Sequence, residues 1–255
     1  MNIADARAIV TGAAQGLGRH FTLALLRQGA RVVAGDLNSA GLRKLKAEAA
    51  AAALPGSLVV CDLDVASEDA AAVCVDLAAR ELGGLNVLIN NAGILRDGLL
   101  ATRAEGAVRK LPLLQWSKVL EVNLTGQFLM ARETAARMIE SGTRGVIVNI
   151  SSLARSGNQG QSNYAASKAG LDACTRTWAL ELAPYGIRVG GVAPGVIDTP
   201  ILAGVSGPAL AALLADIPLG RIGTPEEAWQ TVSYVLCCEF FTGRTIEVDG
   251  GASLG

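Results

Sequence analysis

Short, mainly apolar runs alternate with longer amphipathic stretches along the chain, and this alternation constrains the fold more than any other feature. Runs that are apolar on both faces are typical of strands buried between two helix layers, as in a parallel sheet. Seven such runs predict seven strands: Ala8–Val10, Arg31–Ala34, Leu58–Val60, Val87–Ile89, Val146–Val148, Ile187–Val189 and Thr245–Val248. Helical periodicity predicts helices between them, over about 16–28, 38–53, 67–82, 115–140, 163–184 and 225–237.

No linker, charge block or internal repeat divides the 255 residues, which are enough for one substantial core. We therefore predict a single α/β domain over 1–255. Its fold would be a doubly wound, Rossmann-type parallel sheet of about seven strands, with helices on both faces.

The composition excludes several classes of protein. A formal net charge of −1, with 18% charged and 51% hydrophobic residues, argues against disorder and against a nucleic-acid-binding face. No apolar run approaches the ~18 residues of a membrane span. The first residues also lack the basic and then apolar layout of a signal peptide. We expect a cytoplasmic protein with no membrane span.

Cysteine and histidine usage argues against two kinds of site. His20 is the sole histidine and is far in sequence from the candidate serines, which argues against a histidine-based metal site and a Ser-His-Asp triad. The cysteines are odd in number, scattered and without a C-x-x-C motif, which indicates reduced thiols: Cys61, Cys74, Cys174, Cys237 and Cys238. We predict no bound metal.

A glycine-rich turn, Thr11–Gly18, joins the first strand to the first helix. Glycines let the backbone turn tightly and approach a pyrophosphate, while the helix N-terminus offers free N–H groups and a positive dipole end. The alternative is that the turn is only a short connection between strand and helix and binds no ligand. The predicted dinucleotide contacts in this turn are Gly12, Gln15, Gly16, Leu17 and Gly18.

An acidic residue, Asp36, ends the second strand, eighteen residues after Gly18. A carboxylate at this position would accept both hydroxyls of an adenosine ribose and would repel a 2′-phosphate. Neither Gln15 nor Leu37, which we also expect at this end of the cofactor, supplies a compensating cation. NAD(H) is therefore favoured over NADP(H). The alternative role for Asp36 is a helix cap or turn residue.

Further candidate contacts follow the third, fourth and sixth strands, because ligands of doubly wound sheets bind at the carboxyl ends of strands. They are Asp64, Val65, Asn91, Ala92, Gly93, Pro194, Gly195, Ile197 and Thr199. Each could instead be an ordinary turn former.

The segment over about 196–224 is broken by glycine and proline and reads as an apolar lid beside the site. An irregular helical hairpin without motion is the alternative. Its apolar side chains would suit a hydrophobic substrate or another subunit: Ile201, Leu202, Leu210, Leu213 and Leu214. The polar segment 98–114 could rim the site, but we favour a surface excursion.

The stretch Asn149–Lys168 carries the chemistry. Tyr164 and Lys168 lie four residues apart on a predicted helix and therefore share a face. Two hydroxyls, Ser151 and Ser152, lie at the end of the preceding strand. Upstream, Asn123 sits in an apolar helical context, where its amide needs partners and would form either a structural bridge or part of a water relay.

Five motifs in order make the chain resemble the short-chain dehydrogenase/reductase family from about Arg7 to Gly251. They are T-G-x-x-x-G-x-G at 11–18, N-N-A-G at 90–93, N-I-S-S at 149–152, Y-x-x-x-K at 164–168 and P-G at 194–195. The branch it is most similar to contains 3-oxoacyl-acyl-carrier-protein reductases and NAD-linked hydroxyacyl or hydroxysteroid dehydrogenases.

The resemblance implies a catalytic tetrad of Asn123, a serine, Tyr164 and Lys168. Tyr164 would be the general acid or base of hydride transfer, with its pKa lowered by the Lys168 ammonium and the oxidised nicotinamide. Lys168 would also hold the nicotinamide ribose, and Asn123 a water leading to solvent. Ile150 would line the cofactor. Homotetramers, formed through the helices near 115–140 and 163–184, are the family habit.

One spacing departs from the family pattern. Many members place the catalytic serine both second in N-I-S-S and thirteen residues before the tyrosine, whereas Ser152 is second but only twelve before Tyr164. Because one residue of strand register reverses a side chain's direction while a loop absorbs a deletion, we choose Ser152. Ser151 would then line the cofactor.

The leading hypothesis is an NAD(H)-dependent oxidoreductase that interconverts an apolar secondary alcohol and its ketone. One alternative is an NADPH-dependent 3-oxoacyl-acyl-carrier-protein reductase. An alternative of another class is an NAD-binding regulator without turnover, although such a protein has no need of a poised phenol.

Overall fold

A seven-stranded parallel sheet forms the centre of the computed structural model, which describes residues 1–200, 202, 211 and 213–252. The strand order is β3-β2-β1-β4-β7-β8-β9. The bounds are β1 Arg7–Thr11, β2 Arg31–Asp36, β3 Ser57–Asp62, β4 Val87–Asn90, β7 Gly145–Ile150, β8 Ile187–Pro194 and β9 Thr245–Val248. All seven predicted strands are therefore present, and the predicted doubly wound sheet is confirmed.

Seven α-helices have both ends among the described residues. Their bounds are α1 Gly16–Arg27, α2 Ser39–Ala51, α3 Glu68–Glu81, α4 Leu113–Leu120, α5 Gln127–Glu140, α6 Ser162–Leu182 and α7 Pro225–Cys237. The predicted helix over 115–140 is interrupted, because a π-helical turn, Glu121–Gly126, separates α4 from α5.

Each face of the sheet is covered by its own apolar layer. On one face Val10 and Val32 pack with Phe21 and Leu25 of α1, in a cluster that also includes α2 and α7. On the other face Ile9 packs in a second cluster, with side chains of α3, α5 and α6. Burying each large apolar side chain contributes roughly 1.5–3 kcal/mol, so strand residues apolar on both faces fit this position.

The segment 98–114 contains a small hairpin, formed by β5 Ala101–Ala104 and β6 Ala107–Lys110. All four residues of β6 are exposed, as the predicted surface excursion requires. The beginning of the segment lies deeper: the N–H of Gly98 donates to the carbonyl of Gly160 at 2.7 Å. Residues just before the hairpin therefore adjoin the loop that precedes Tyr164.

Part of the predicted lid, including Ile201 and Leu210, lies outside the described residues. Among the helices that are described, none combines the length and apolarity needed to cross a membrane.

The carboxyl ends of the strands form the functional edge of the sheet. β1 pairs with β2 on one side and with β4 on the other, so the chain reverses its winding direction between β1 and β4. A crevice at such a reversal is where doubly wound sheets bind ligands.

Candidate active site

The glycine turn after β1 is closed by backbone contacts that leave no room for side chains. A Cβ on Gly18 would lie 2.2 Å from the carbonyl oxygen of Gly12, and a Cβ on Gly12 would lie 2.9 Å from the Cα of Ala92. Gly12 and Gly16 also have positive φ, at 65° and 54°. These glycines are therefore required by the shape of the turn itself.

The helix that follows this turn is open at its N-terminus. No side chain caps α1 at Gln15, whereas Asn38, Ser67 and Thr224 each cap a helix with a side-chain oxygen. Because the first N–H groups of a helix need acceptors and carry its positive dipole end, α1 presents an anion-binding end. The residues present thus fit the pyrophosphate of a dinucleotide.

The side chain of Asn91 holds the glycine turn in place through hydrogen bonds. Its Nδ2 donates to the carbonyls of Thr11 at 2.9 Å and Gly12 at 3.3 Å. The hydroxyl of Thr11 in turn accepts from the N–H groups of Asn91 and Ala92. The side chain of Asn91, predicted as a cofactor contact, therefore joins the loops after β1 and β4.

Asp36 lies at the end of β2 with both carboxylate oxygens in contact with backbone N–H groups. Oδ2 accepts from Ala14 at 2.9 Å and Oδ1 from Asn38 at 2.8 Å. Asp36 therefore stabilises the turn after β2, which is the alternative role considered from the sequence. Each oxygen retains a further lone pair for a ribose hydroxyl. No lysine or arginine of the described residues forms an ion pair with Asp36, and Leu37 beside it is exposed.

The other predicted cofactor contacts surround the same crevice. Asp64 caps the turn after β3 by accepting from Ala66 N–H at 3.0 Å, and Val65 is buried beside Gly126. After β8, the N–H of Gly195 donates to the carbonyl of Val248 at 3.0 Å. Predicted contacts that are buried there are Pro194 and Ile197.

Thr199 lies across the glycine turn. A Cβ built on Gly16 would lie 3.9 Å from the Cβ of Thr199. The segment after β8 therefore crosses the open end of α1. This contact brings together two predicted cofactor contacts, Gly16 and Thr199, from separate loops.

Asn123 is fully buried in the π-helical turn. Its Oδ1 accepts from the N–H of Ile94 at 2.8 Å and its Nδ2 donates to the carbonyl of Ile94 at 2.9 Å. The amide is therefore a bridge to the loop after β4, one of the two roles considered from the sequence. Gly93 lies between Asn123 and Lys168, since its Cβ would be 3.4 Å from Oδ1 and 3.8 Å from Nζ.

The two serines after β7 point to different surroundings. Ser152 is half-buried, forms a hydrogen bond with the Tyr164 phenol and accepts from Ala154 N–H at 3.2 Å. Ser151 is 3% exposed, and its hydroxyl donates to the carbonyl of Lys168 at 3.4 Å. Ser152 thus lies beside the phenol, while Ser151 lies beneath the site. Ile150, the last residue of β7, is also buried.

The pKa of Tyr164 corrects one expectation. Burial raises the pKa of the phenol, the hydrogen bond from Ser152 opposes this increase, and the negative charge of Asp97 adds to it. The expected decrease caused by Lys168 is wrong for the chain without cofactor, because desolvation outweighs every favourable contact. Tyr164 is therefore a protonated phenol at neutral pH, ready to act as an acid.

Lys168 is buried and lies close to the tyrosine. Its Nζ donates to the carbonyl of Ile150 at 2.7 Å and lies 5.6 Å from the centroid of the Tyr164 ring. Burial lowers the pKa of the ammonium to about 8. Tyr164 and Lys168 therefore share the face that their spacing predicts.

Sequence reasoning missed the residues that hold the loop beside Tyr164. Asp97 accepts from Gln161 Nε2 at 3.1 Å, and Asn163 Nδ2 donates to the carbonyl of Arg96 at 2.9 Å. These contacts join the loop after β4 to the start of α6. The closely spaced amides at 161 and 163 could have indicated a hydrogen-bonded loop, but no periodicity in the sequence indicated their partners.

Comparison with known proteins identifies the family. The family model described as Enoyl-(Acyl carrier protein) reductase matches residues 12–253. The chain is 41% identical to the 3-oxoacyl-acyl-carrier-protein reductase of Thermotoga maritima, covering 95% of this chain and 96% of that protein. It is 37% identical to the (3R)-3-hydroxyacyl-CoA dehydrogenase of Homo sapiens, covering 97% and 95%.

A solved structure agrees with these relatives. A short-chain type dehydrogenase/reductase from Mycobacterium marinum superimposes with a TM-score of 0.88 at 32% identity, covering 100% of this chain and 99% of that one. The resemblance seen in the five sequence motifs is thereby confirmed. The chain belongs to the short-chain dehydrogenase/reductase family, and is an oxidoreductase that interconverts hydroxyl and keto groups with a nicotinamide cofactor.

Proposed function

We propose that this chain is an NAD(H)-dependent dehydrogenase of an apolar secondary alcohol, with Tyr164 as its general acid and base. The contact between Ser152 and the Tyr164 phenol carries the proposal. Two hydroxyls side by side form a pair of donors for a single carbonyl oxygen, which is the group that gains charge as a ketone is reduced. When bound, the cofactor supplies or removes the hydride.

In the direction of reduction, Tyr164 gives its phenolic proton to the carbonyl oxygen as hydride reaches the carbon. Ser152 holds that oxygen by donating its O–H group, while the serine oxygen itself accepts from Ala154 N–H. Lys168 holds the nicotinamide ribose. In oxidation the phenolate takes the alcohol proton back, so the proton balance reverses.

Asp36 supports NAD(H) as the cofactor. Its carboxylate lies at the end of β2, beside the exposed apolar side chain of Leu37, without a described cation to neutralise a 2′-phosphate. The crevice contacts predicted from the sequence then hold the dinucleotide, with α1 binding the pyrophosphate.

The test is NAD-linked oxidation of a panel of secondary alcohols and 3-hydroxyacyl thioesters. Tyr164→Phe should reduce turnover by about 10³-fold or more while NADH binding, followed by fluorescence, is retained. Tyr185→Phe, at an exposed tyrosine, is the matched control. Binding of NADH without Tyr164-dependent turnover on any substrate would contradict the proposal and favour a regulator.

A second candidate is an NADPH-dependent 3-oxoacyl-acyl-carrier-protein reductase, favoured by the identity of the Thermotoga maritima relative, which is a 3-oxoacyl-acyl-carrier-protein reductase. Comparison of kcat/KM for NADH and NADPH on a 3-oxoacyl thioester separates the two. A preference for NADPH would contradict the role assigned to Asp36. Asp36→Asn should narrow the preference for NAD(H), because it removes the charge that repels the phosphate.

We further propose that the chain works as a homotetramer in the cytoplasm. Large exposed apolar side chains on three helices support association: Leu113 and Leu114 on α4, Phe128 and Ile139 on α5, and Leu180 on α6. All five cysteines are free thiols, in keeping with a reducing compartment. Light scattering on the purified chain measures the mass of the assembly and so tests the tetramer. The mass of a single chain would contradict it.

A further inference from the structure

A cluster of four charged residues connects the loop that carries Ser152 to two other elements. We call residues 151–161 the serine loop. Arg155, three residues after Ser152, is 17% exposed through its side chain. Its guanidinium contacts Asp172 Oδ1 at 2.9 Å and Glu247 Oε1 at 2.5 Å. The serine loop is therefore bound at one point to both α6 and β9.

The backbone of Arg155 is coupled directly to Ser152. The residues Leu153–Ser156 form a single 3-10 turn, in which the Arg155 N–H donates to the Ser152 carbonyl at 3.2 Å. Ser152 caps this turn with its own hydroxyl oxygen. Movement of Arg155 would therefore change the orientation of Ser152.

The middle of the loop offers little support, whereas its end is held where Gly160 accepts from Gly98 N–H and Gln161 donates to Asp97. Residues 156–159 are exposed, and a Cβ built on Gly157 or Gly160 would meet nothing within 4 Å. Ala154 is buried and Arg155 is ion-paired, so these two residues hold the turn in place.

Asp172, which accepts from Arg155, lies on the same helix as Tyr164 and Lys168. Asp172 lies eight residues after Tyr164 and four after Lys168, so it continues the face of α6 that carries both. Its carboxylate is 13% exposed and also binds Arg176 and the Thr245 hydroxyl. Several partners hold this carboxylate still, which makes it a rigid anchor.

We propose that Arg155 is a positioning residue, which keeps Ser152 beside Tyr164 by fixing the serine loop to Asp172 and Glu247. This inference rests on the proposed catalytic role of Ser152 and Tyr164. It assigns Arg155 no contact with substrate or cofactor.

Two variants and one matched control test the anchoring without any substrate. In Arg155→Met and in Asp172→Asn, amide hydrogen exchange over residues 151–161 should become faster. Arg176→Met is the control, since it removes an exposed partner of the same carboxylate without touching the serine loop. Unchanged exchange in both variants, or an equal increase in Arg176→Met, would overturn the inference.

Kinetics test the consequence, provided that the wild-type chain shows Tyr164-dependent turnover on a 3-hydroxyacyl thioester with NAD. Arg155→Met should lower kcat by about tenfold with little change in the KM for NAD, because the loop misplaces a reacting group. Arg155→Lys, which can still reach one carboxylate, should recover part of that loss.

A double-variant comparison separates positioning from general damage. In a Ser152→Ala background the Arg155→Met change should have almost no further effect on kcat, because the group that it positions is gone. The same tenfold loss in that background would overturn the inference. Absence of Tyr164-dependent turnover in the wild-type chain would instead overturn the proposed function, and the exchange experiment would still decide the anchoring.

Discussion

Lys168 extends beneath the ring of Tyr164 and donates from Nζ to the carbonyl of Ile150 at 2.7 Å. Lys168 is 3% exposed, and its ammonium has no carboxylate partner among the described residues. A cation in this position is held by one carbonyl dipole against a desolvation cost, which is why its pKa is lowered to about 8. The chain maintains a charge here that its fold disfavours.

The cost of burying the charged Lys168 should make the free energy of unfolding depend on pH. Between about pH 8 and 10.5 the unfolded chain keeps Lys168 protonated and the folded chain does not, so stability rises with pH in that window. The difference between the ordinary pKa of 10.5 and the folded value of about 8 corresponds to about 3 kcal/mol in the free energy of unfolding. Lys168→Met should remove this rise, as measured by urea unfolding at pH 7 and pH 10.

The same substitution at Lys118, an exposed lysine paired with Glu121, is the control for loss of a lysine. An identical pH dependence of unfolding in wild type and Lys168→Met would contradict the effect of burial on Lys168.

Alcohol oxidation should accelerate as pH rises through the neutral range, because the buried Tyr164 must lose its proton to act as a base. Asp97→Asn should move this rise to lower pH, since the negative charge of Asp97 raises the pKa of the phenol. An asparagine can still accept from Gln161. Profiles of kcat/KM against pH check this, and a shift to higher pH would disprove the assigned sign.

Ser152→Ala should lower kcat by about 10²-fold, because it removes a donor to the substrate oxygen. Ser151→Ala should cost less than about fivefold, since its buried hydroxyl makes only a 3.4 Å contact with the Lys168 carbonyl. Steady-state kinetics of both variants decide the choice between the serines. A larger loss for Ser151→Ala would reverse the assignment.

Gly18→Ala should abolish NADH binding and lower stability, because its Cβ would lie 2.2 Å from the Gly12 carbonyl oxygen and 2.6 Å from Asn91 Nδ2. Gly170→Ala on α6 is the matched control, where the nearest atom to the Cβ would belong to the flexible Leu124 side chain, at 3.0 Å. Fluorescence titration and thermal melting measure both effects. Normal binding by Gly18→Ala would mean that the turn adjusts.

Much of the fold could be predicted from the sequence, because strands that are buried on both faces have an unmistakable apolar pattern. Val10 and Ile9, adjacent in sequence, pack in opposite layers, as two-sided burial requires. The shared face of Tyr164 and Lys168 could also be predicted, because it depends only on helical spacing.

Other parts depend on tertiary contacts that no local pattern encodes. The apolar pattern of the sequence does not distinguish the π-helical turn at Asn123 from the α-helices on either side, so the predicted helix continued through it. The pKa of Tyr164 depends on how deeply the ring is buried. The partners of Arg155 come from α6 and β9, which lie 17 and 92 residues further along the chain.

The uncapped N-terminus of α1 has a consequence for the lifetime of the protein in a cell. Side chains cap the first turns of α2, α3 and α7, whereas no side chain caps α1, whose first N–H groups are left for a bound anion. A ligand that binds only the folded state adds about 2.7 kcal/mol of stability when its concentration is a hundred times its dissociation constant. The abundance of this enzyme should therefore follow the supply of its dinucleotide, since chains without it unfold and are degraded more often.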